Sequence, residues 1–279
     1  MSDTTRSAPP SRKIASGRAP SPPSRRQALR GAIGVLGSVG AAALAGCDRL
    51  SHNEGFVDAL KSAESLSRGV HHAIANRRAM AQEFTEADVA AHFKANGTQM
   101  PRDADYQALL KNDFADWRLE IGGLVERPAA FTLAELRAMP PRTQITRHDC
   151  VEGWSSIGKW TGVPLAHVLG LVQPKPSAKF VLFRCADSMD DPAEGDSRYY
   201  ESVDLDDAFH AQTLLAYELS GKPLPVANGA PLRARIERQL GYKHAKYVMR
   251  IELIERFDTI RGGQGGYWED NGYEWYAGI

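Results

Sequence analysis

Cysteine is scarce in this chain. Three in 279 residues, with no C-x-x-C pair among them, exclude a disulfide-dense scaffold, a zinc ribbon and a C-x-x-C-H haem attachment. The H-E-x-x-H zinc helix, the G-x-x-x-x-G-K-[ST] phosphate loop and the G-x-S-x-G elbow of serine hydrolases are also missing. "RGGQGG", residues 261–266, has the glycines of a phosphate loop without a following Lys-Ser or Lys-Thr, and reads as a turn. No repeat of fixed period occurs. The charge-free run 31–46, "GAIGVLGSVGAAALAG", is 16 residues rich in Gly and Ala, too short and too weakly apolar for a membrane span.

Net charge is also lacking, but the zero balance hides an asymmetry. Residues 1–30 carry seven bases against Asp3 alone, and from residue 47 onward 27 bases face 33 acids. An acidic body speaks against a nucleic-acid partner, because phosphate-backbone binding needs clustered positive charge. The basic stretch ends in the pair Arg25–Arg26 before the apolar run, which resembles a twin-arginine export signal, with Ala28 where a large apolar residue is usual. "LAGC", Leu44 to Cys47, resembles a lipoprotein cleavage box with Cys47 acylated, and Asp48 resembles an inner-membrane retention signal. The bland alternative is an ordinary peptidase site near Ala43–Ala45. The expectation is a periplasmic protein, anchored to the inner membrane if Cys47 carries lipid.

Length allows one large domain or two small ones. Phe56, Val57, Leu60, Leu66, Val70 and Ile74 have helical spacing over 54–82, and Thr85 with Asp88 makes a capping box that predicts a second helix over "EADVAAHFKAN", stopped by Gly97. Trp117, Leu119 and Ile121 alternate as in a half-buried strand. Thr132 with Glu135 opens a short helix that ends at Pro140–Pro141. "TQITRHDC", "KFVLFRC", "YYESVDL", "TLLAYEL", "PLRARIE" and "AKYVMRIELIERF" read as strands; "GVPLAHVLGLV" and "DDAFHA" read as helices. Strands and short helices mixed this way predict an α+β fold. The expected division is a signal segment over 1–46, a helical extension over 47–92 and a main domain over 93–279.

Cys150, in "TRHDCVEGW", is the thiol set among charges. A thiolate is a soft ligand for a transition metal, and flanking Arg147 and His148 are expected to lower its pKa. Taken alone, a buried inert cysteine or a disulfide to Cys185 in an oxidising compartment explains it equally simply.

The wider pattern adds to this. "RHDCVEGWS", "WTGVPL", "LLAYELSGKPLP", "NGAPLR" and "GYKHAKY", in that order, together with "DWRLEIGGLVERPAAFTLAEL", resemble the sulfite oxidase family of molybdopterin enzymes over about residues 93–254. The resemblance implies a sulfite-oxidase-type fold of mixed β-sheets and a molybdenum–molybdopterin cofactor with one pterin. It implies Cys150 as the metal ligand and Arg147 as a basic group close to the cofactor. Tyr199 is the tyrosine over the metal's oxo groups, with Tyr200 its competitor by one register. Asn96 in "FKANG", Cys185, Asn228, Arg233, Lys243, His244, Ala245 and Lys246 are the implied pterin and phosphate contacts. For the basic cluster, Arg or Lys beside a glycine-permitted turn suits a dianionic phosphate, while a solvated strand edge is the plain alternative.

The resemblance implies oxygen-atom transfer on a small oxyanion or oxide, with electrons exchanged with a membrane or soluble cytochrome. With 33 residues after Lys246, the chain is expected to carry neither an immunoglobulin-like dimerisation domain nor a haem domain, as in the exported methionine-sulfoxide reductases. His148, Asp149 and Gly153 differ from that reductase's residues, which points to a separate subgroup. The rival readings are a binding protein that keeps the fold without catalysis and an anchored structural lipoprotein.

Overall fold

The structure is a computed structural model that describes residues 78–189 and 197–279, together with Asn53 and Gly55. The chain divides into two units, 1–69 and 70–279, and the elements below belong to the second. The signal segment, Cys47 and nearly all of the helix expected over 54–82 lie outside the described residues.

Among the described residues ten strands form two five-stranded sheets. The first sheet has the order β2 (Ala129–Thr132), β1 (Arg118–Gly123), β10 (Val248–Ile254), β5 (Phe180–Ser188), β6 (Arg198–Asp204). The second runs β3 (Arg142–Cys150), β4 (Trp154–Pro164), β7 (Thr213–Leu219), β8 (Lys222–Pro223), with β9 (Arg233–Ile236) also on β7. β1 and β10 pair in parallel, Glu120 opposite Arg250, and the other ladders among the described residues are antiparallel. Short helices punctuate the strands: α1 (Ala104–Lys111), α2 (Leu133–Ala138), α3 (Leu165–Val172), α4 (Leu205–Ala208) and α5 (Tyr267–Asp270). The α+β expectation holds.

Local chemistry explains most boundaries. Thr132 Oγ1 accepts from Glu135 N and the Glu135 carboxylate accepts from Thr132 N, so the capping box starts α2 where expected. In α3, Leu165, Val168, Leu169 and Val172 recur at helical spacing and all are fully buried against the core. The alternation of β1 buries Trp117, Leu119 and Ile121.

Two expectations fail. The Thr85–Asp88 capping box forms, but it opens a single 3₁₀ turn, Glu86–Asp88, instead of a helix to Asn96. Tertiary contacts claim the segment: Phe84 N donates to Ile145 O, Ala90 N donates to Ile157 O, and the Phe93 ring packs 4.9 Å from that of Trp160. The chain is drawn out along β3 and β4, so the stretch 78–92 of the expected helical extension is not α-helical. Conversely, α1 falls where the sequence reading assigns no element. Asp103 caps it by accepting from Tyr106 N, and the buried Tyr106 hydroxyl donates to Ala230 O at 2.7 Å. Tyr106→Phe is expected to cost about 1–3 kcal/mol, because it strands that buried carbonyl. Denaturant unfolding checks the value.

Candidate active site

β3 delivers Cys150 to the rim of a cleft. A three-residue loop, Val151–Gly153, joins β3 to β4, with Gly153 in the left-handed region (φ +83°) and its N–H donating to Cys150 O. The period of two then decides which neighbours face inward. His148 shares the Cys150 face and is fully buried, whereas Arg147 points outward, half-exposed, and pairs with Asp149 at 2.9 Å. Arg147 is therefore not brought to the cleft.

The cleft has a volume of about 170 Å³. Segments far apart in sequence line it: Asn96–Thr98, Cys150–Glu152, Asp187 and Met189, Tyr199, Gly241–Tyr242 with His244 and Lys246, and Trp268 with Tyr273. Cys150 and the "GYKHAKY" turn thus meet in one cavity. Asn228 and Arg233 lie behind it. Arg233 donates to Asn96 Oδ1 (3.4 Å) and to Asn228 O (3.3 Å).

Burial pushes the Cys150 thiol up, against the lowering expected from its basic neighbours. Arg147 has turned away, and His148 is itself held neutral, well below its usual range, by burial and then by Arg233 and Arg235. Arg235 can only donate, so its 2.9 Å contact makes His148 Nδ1 the acceptor and leaves the proton on Nε2. That N–H is buried without a partner. It abuts Gly241, where a Cβ would sit 2.5 Å from Nε2; the glycine is required by close approach. His244 is the mirror case. Nε2–H donates to the carbonyls of Ile236 (2.8 Å) and Gln239 (3.1 Å), leaving a buried, unpartnered Nδ1 lone pair. His148 was not singled out from the sequence as a site residue, although its place two residues before Cys150 was the available signal.

Other expected residues divide. Tyr199 lines the cleft and donates its hydroxyl to Tyr242 O, while the Tyr200 hydroxyl goes to the Asp270 carboxylate; the register favours Tyr199. Asn96, His244 and Lys246 also line the cleft. Lys246 Nζ donates to the carbonyls of Asn96 (2.6 Å), Ala227 (2.9 Å) and Thr98, so its protons hold the 96–98 loop. Ala245 is buried and takes part through its backbone, its carbonyl accepting from Ala234 N. Lys243 does not reach the cleft. It is buried between the carboxylates of Glu201 and Glu269, its charge already answered. Cys185 is buried in β5 opposite Val248, outside the lining of this cleft, and neither it nor Cys150 is in a disulfide.

Residues 106–259 match the family described as "oxidoreductase molybdopterin binding domain". The chain belongs to that family. A putative protein-methionine-sulfoxide reductase subunit YedZ1 of Azospira oryzae is 44% identical over 166 residues, covering 60% of this chain and 57% of that protein. The protein-methionine-sulfoxide reductase catalytic subunit MsrP of Xanthomonas axonopodis pv. citri is 38% identical over 149 residues, 50% of this chain and 45% of that one. The chain spans about half the length of these curated relatives. Among solved structures, the sulfane dehydrogenase SoxCD of Paracoccus pantotrophus matches with a TM-score of 0.46 and 24% identity, over 51% of this chain and 39% of that chain.

The residues of this molybdopterin-binding domain suit an anionic, polar cofactor. Buried polar atoms without a partner gather around the cleft: Asn228 Nδ2, Arg233 Nε and His148 Nε2 as donors, His244 Nδ1 as acceptor. Buried positive charge is in excess there. Burial and then Arg235 bring Arg233 down to about 9; burial and then Arg233 bring Lys246 down to about 7, opposed by Asp187, itself raised to about 6 mainly by burial. The lowering at Arg233 and Lys246 reflects burial first and then a neighbouring like charge. Among the described residues no group of three or more His, Cys, Asp or Glu side chains converges on a metal site.

A pH dependence follows. Lys246 binds its proton less tightly folded (about 7) than unfolded (10.5), so the cofactor-free protein gains stability as pH rises between those values. An anion needs the charged form, so its affinity is expected to fall as pH rises through about 7. Calorimetric titration of cofactor-free protein with inorganic pyrophosphate below and above that pH checks this; equal affinities would contradict it.

Proposed function

We propose that this chain is the exported catalytic domain of a molybdenum-cofactor oxidoreductase, with Cys150 as the protein ligand to the metal, that reduces an uncharged S-oxide to the thioether. The observation that carries the reading is the makeup of the cleft between Cys150 and the 241–246 turn. Its outer wall is aromatic: Tyr242 and Trp268 flank Tyr273, whose ring is 5.2 Å from each. Val151, 43% exposed, sits at the mouth, and among the described residues no arginine lines the cleft. A dianion such as sulfite calls for guanidinium groups facing the substrate; an apolar side chain bearing an S-oxide calls for aromatic surface and a few donors. The relatives named as methionine-sulfoxide reductases support the same class.

Asn228, Arg233, His244 and Lys246, with the backbone at Ala245, would hold the pterin and its phosphate, and His148 Nε2–H would donate to the group seated against Cys150. When bound, the cofactor supplies two-electron redox chemistry and an acceptor for the transferred oxygen. The chain's own residues do the rest. Trp268 and Tyr273 position the apolar part of the substrate and exclude water. The Tyr199 hydroxyl holds a proton at the oxygen being removed, where negative charge develops. Reduction consumes two electrons and two protons and yields thioether and water. The electrons come from a cytochrome partner, in keeping with relatives named as subunits. Export through residues 1–46 and anchoring through Cys47 complete the proposal.

A panel assay tests it. Molybdenum-loaded protein with a reduced viologen dye is expected to turn over methionine sulfoxide in preference to N-oxides, and not to oxidise sulfite. Sulfite oxidation without S-oxide reduction would overturn the substrate. Metal-free protein from a cofactor-competent host would favour the non-catalytic binding protein.

A further inference from the structure

We propose that Glu201, Lys243 and Glu269 form a sealed proton store that feeds the cleft through the Tyr199 hydroxyl, making Glu201 a positioning residue that supplies protons for oxide reduction; this rests on the reaction proposed above. The three side chains come from β6, the 241–243 turn and α5, and are 0%, 1% and 3% exposed. Lys243 Nζ lies 2.5 Å from Glu201 Oε1 and 2.5 Å from Glu269 Oε1. The Trp275 ring covers the ammonium at 5.2 Å and Tyr242 flanks it at 5.9 Å. Gly266 closes the space: a Cβ there would lie 2.1 Å from Glu269 Oε2 and 2.8 Å from Glu201 Oε1.

Two carboxylates and one ammonium leave a net negative charge with no water to stabilise it, so the cluster holds one more proton. Oε2 of Glu201 and the otherwise unpartnered Oε2 of Glu269 are the positions open to that proton. Glu201 Oε1 already accepts from Lys243 and from Ser202 N (2.8 Å). The single proton of Tyr199 goes to Tyr242 O, and Glu201 Oε2 lies 3.3 Å from the same phenol oxygen. With Oε2 ionised the phenol donates across that contact, and with Oε2 protonated the direction reverses. Burial and then the charge of Glu269 push the Glu201 carboxyl well up, with Lys243 opposing. Burial alone would pull Lys243 down, but its two carboxylates outweigh it and its pKa is raised. Cys185 and Asp187 of β5 face the Tyr199 side, both with raised pKa, so their protons add no competing charge at neutral pH beyond that of Asp187.

The transfer balances as a two-bond hop. As the Tyr199 O–H turns from Tyr242 O toward the substrate oxygen and its proton passes there, the Glu201 Oε2–H bond breaks and a new O–H forms on the Tyr199 oxygen. Tyr199 ends neutral and Glu201 ends as a carboxylate, recharged by the reverse hop through Tyr199 once product has left the cleft. The electrons come from the external one-electron donor, and two such protons convert the departing oxygen to water.

Glu201→Gln is the decisive variant because the amide mimics the protonated carboxyl. Fold and charge balance are kept, but no proton can leave. In loaded enzyme, kcat for methionine sulfoxide is expected to fall by about 10²-fold, with KM little changed. The wild-type loss of rate at alkaline pH, where the store empties, is expected to vanish. A second readout needs no turnover: difference infrared spectra of the holoenzyme should show a protonated-carboxyl band that disappears in Glu201→Gln and shifts in Tyr199→Phe. If Glu201→Gln fails to fold, Glu269→Gln replaces it with the same expectations. An absent band, or one indifferent to Tyr199→Phe, overturns the store whatever the substrate; a band that behaves as expected in an enzyme inert toward S-oxides overturns the substrate reading instead. Wild-type rate and pH profile in Glu201→Gln overturn the relay.

Discussion

Replacing Cys150 by Ser is expected to abolish turnover while leaving the fold intact. The side chain sits half-buried at the end of β3, its backbone fixed by the Gly153 turn and the Trp154 pairing, so exchange of sulfur for oxygen disturbs no packing. What changes is the donor. A thiolate is soft and suits molybdenum, whereas a serine hydroxyl is hard and stays protonated at neutral pH. Burial raises the Cys150 thiol, so the metal itself would have to stabilise the thiolate, as bound cations do for coordinating thiols. Loss of a group that merely orients a ligand costs ~10–100-fold, so loss of the ligand is expected to exceed that, about 10³-fold. Turnover of loaded protein, with the molybdenum absorption spectrum alongside, checks it. An unchanged rate and spectrum would refute the ligand role.

Glu237→Ala is expected to destabilise the protein by about 3–5 kcal/mol, because it leaves a buried charge without its partner. Arg235 and Glu237 have no exposed side-chain surface and form a two-point pair, Nε to Oε1 at 2.9 Å and Nη2 to Oε2 at 2.6 Å. The same guanidinium lies 4.5 Å over the Trp160 ring and donates to His148 Nδ1. Glu237 also accepts from Gln144 Nε2 at 2.9 Å, which ties β3 to β9. Chemical denaturation measures the loss. Cofactor retention should fall as well, since His148 then loses the contact that fixes its tautomer; full stability in the variant would show that Arg235 finds another partner.

Much of the fold was readable because local and tertiary preferences agree. The Thr132–Glu135 box, the apolar spacing of 165–172 and the alternation around Leu119 each name an element that packing then keeps. Disagreement begins where packing outbids local signals. Thr85–Asp88 is a sound helix start, yet Phe93 is drawn against Trp160 and the helix ends after one turn. The site divides the same way. Order along the chain pointed to Cys150, Tyr199, Asn96 and the 241–246 turn. Which way a side chain points depends on register. Arg147 and His148 are adjacent in sequence and opposite in space, and Lys243 has a stretch of sequence much like that of Lys246 but faces two carboxylates supplied by β6 and α5. Nothing in the order of residues announces that pair of carboxylates, because 42 and 26 positions separate them from Lys243.

The parallel partnership of β1 with β10 carries a cost in time. Glu120 cannot meet Arg250 until the chain between them exists, so the central ladder of the first sheet is among the last to form. Contacts spanning about 130 residues make for slow folding. Until β10 arrives, β1 and β5 each present an open edge, and a nascent chain at that stage is exposed to self-association.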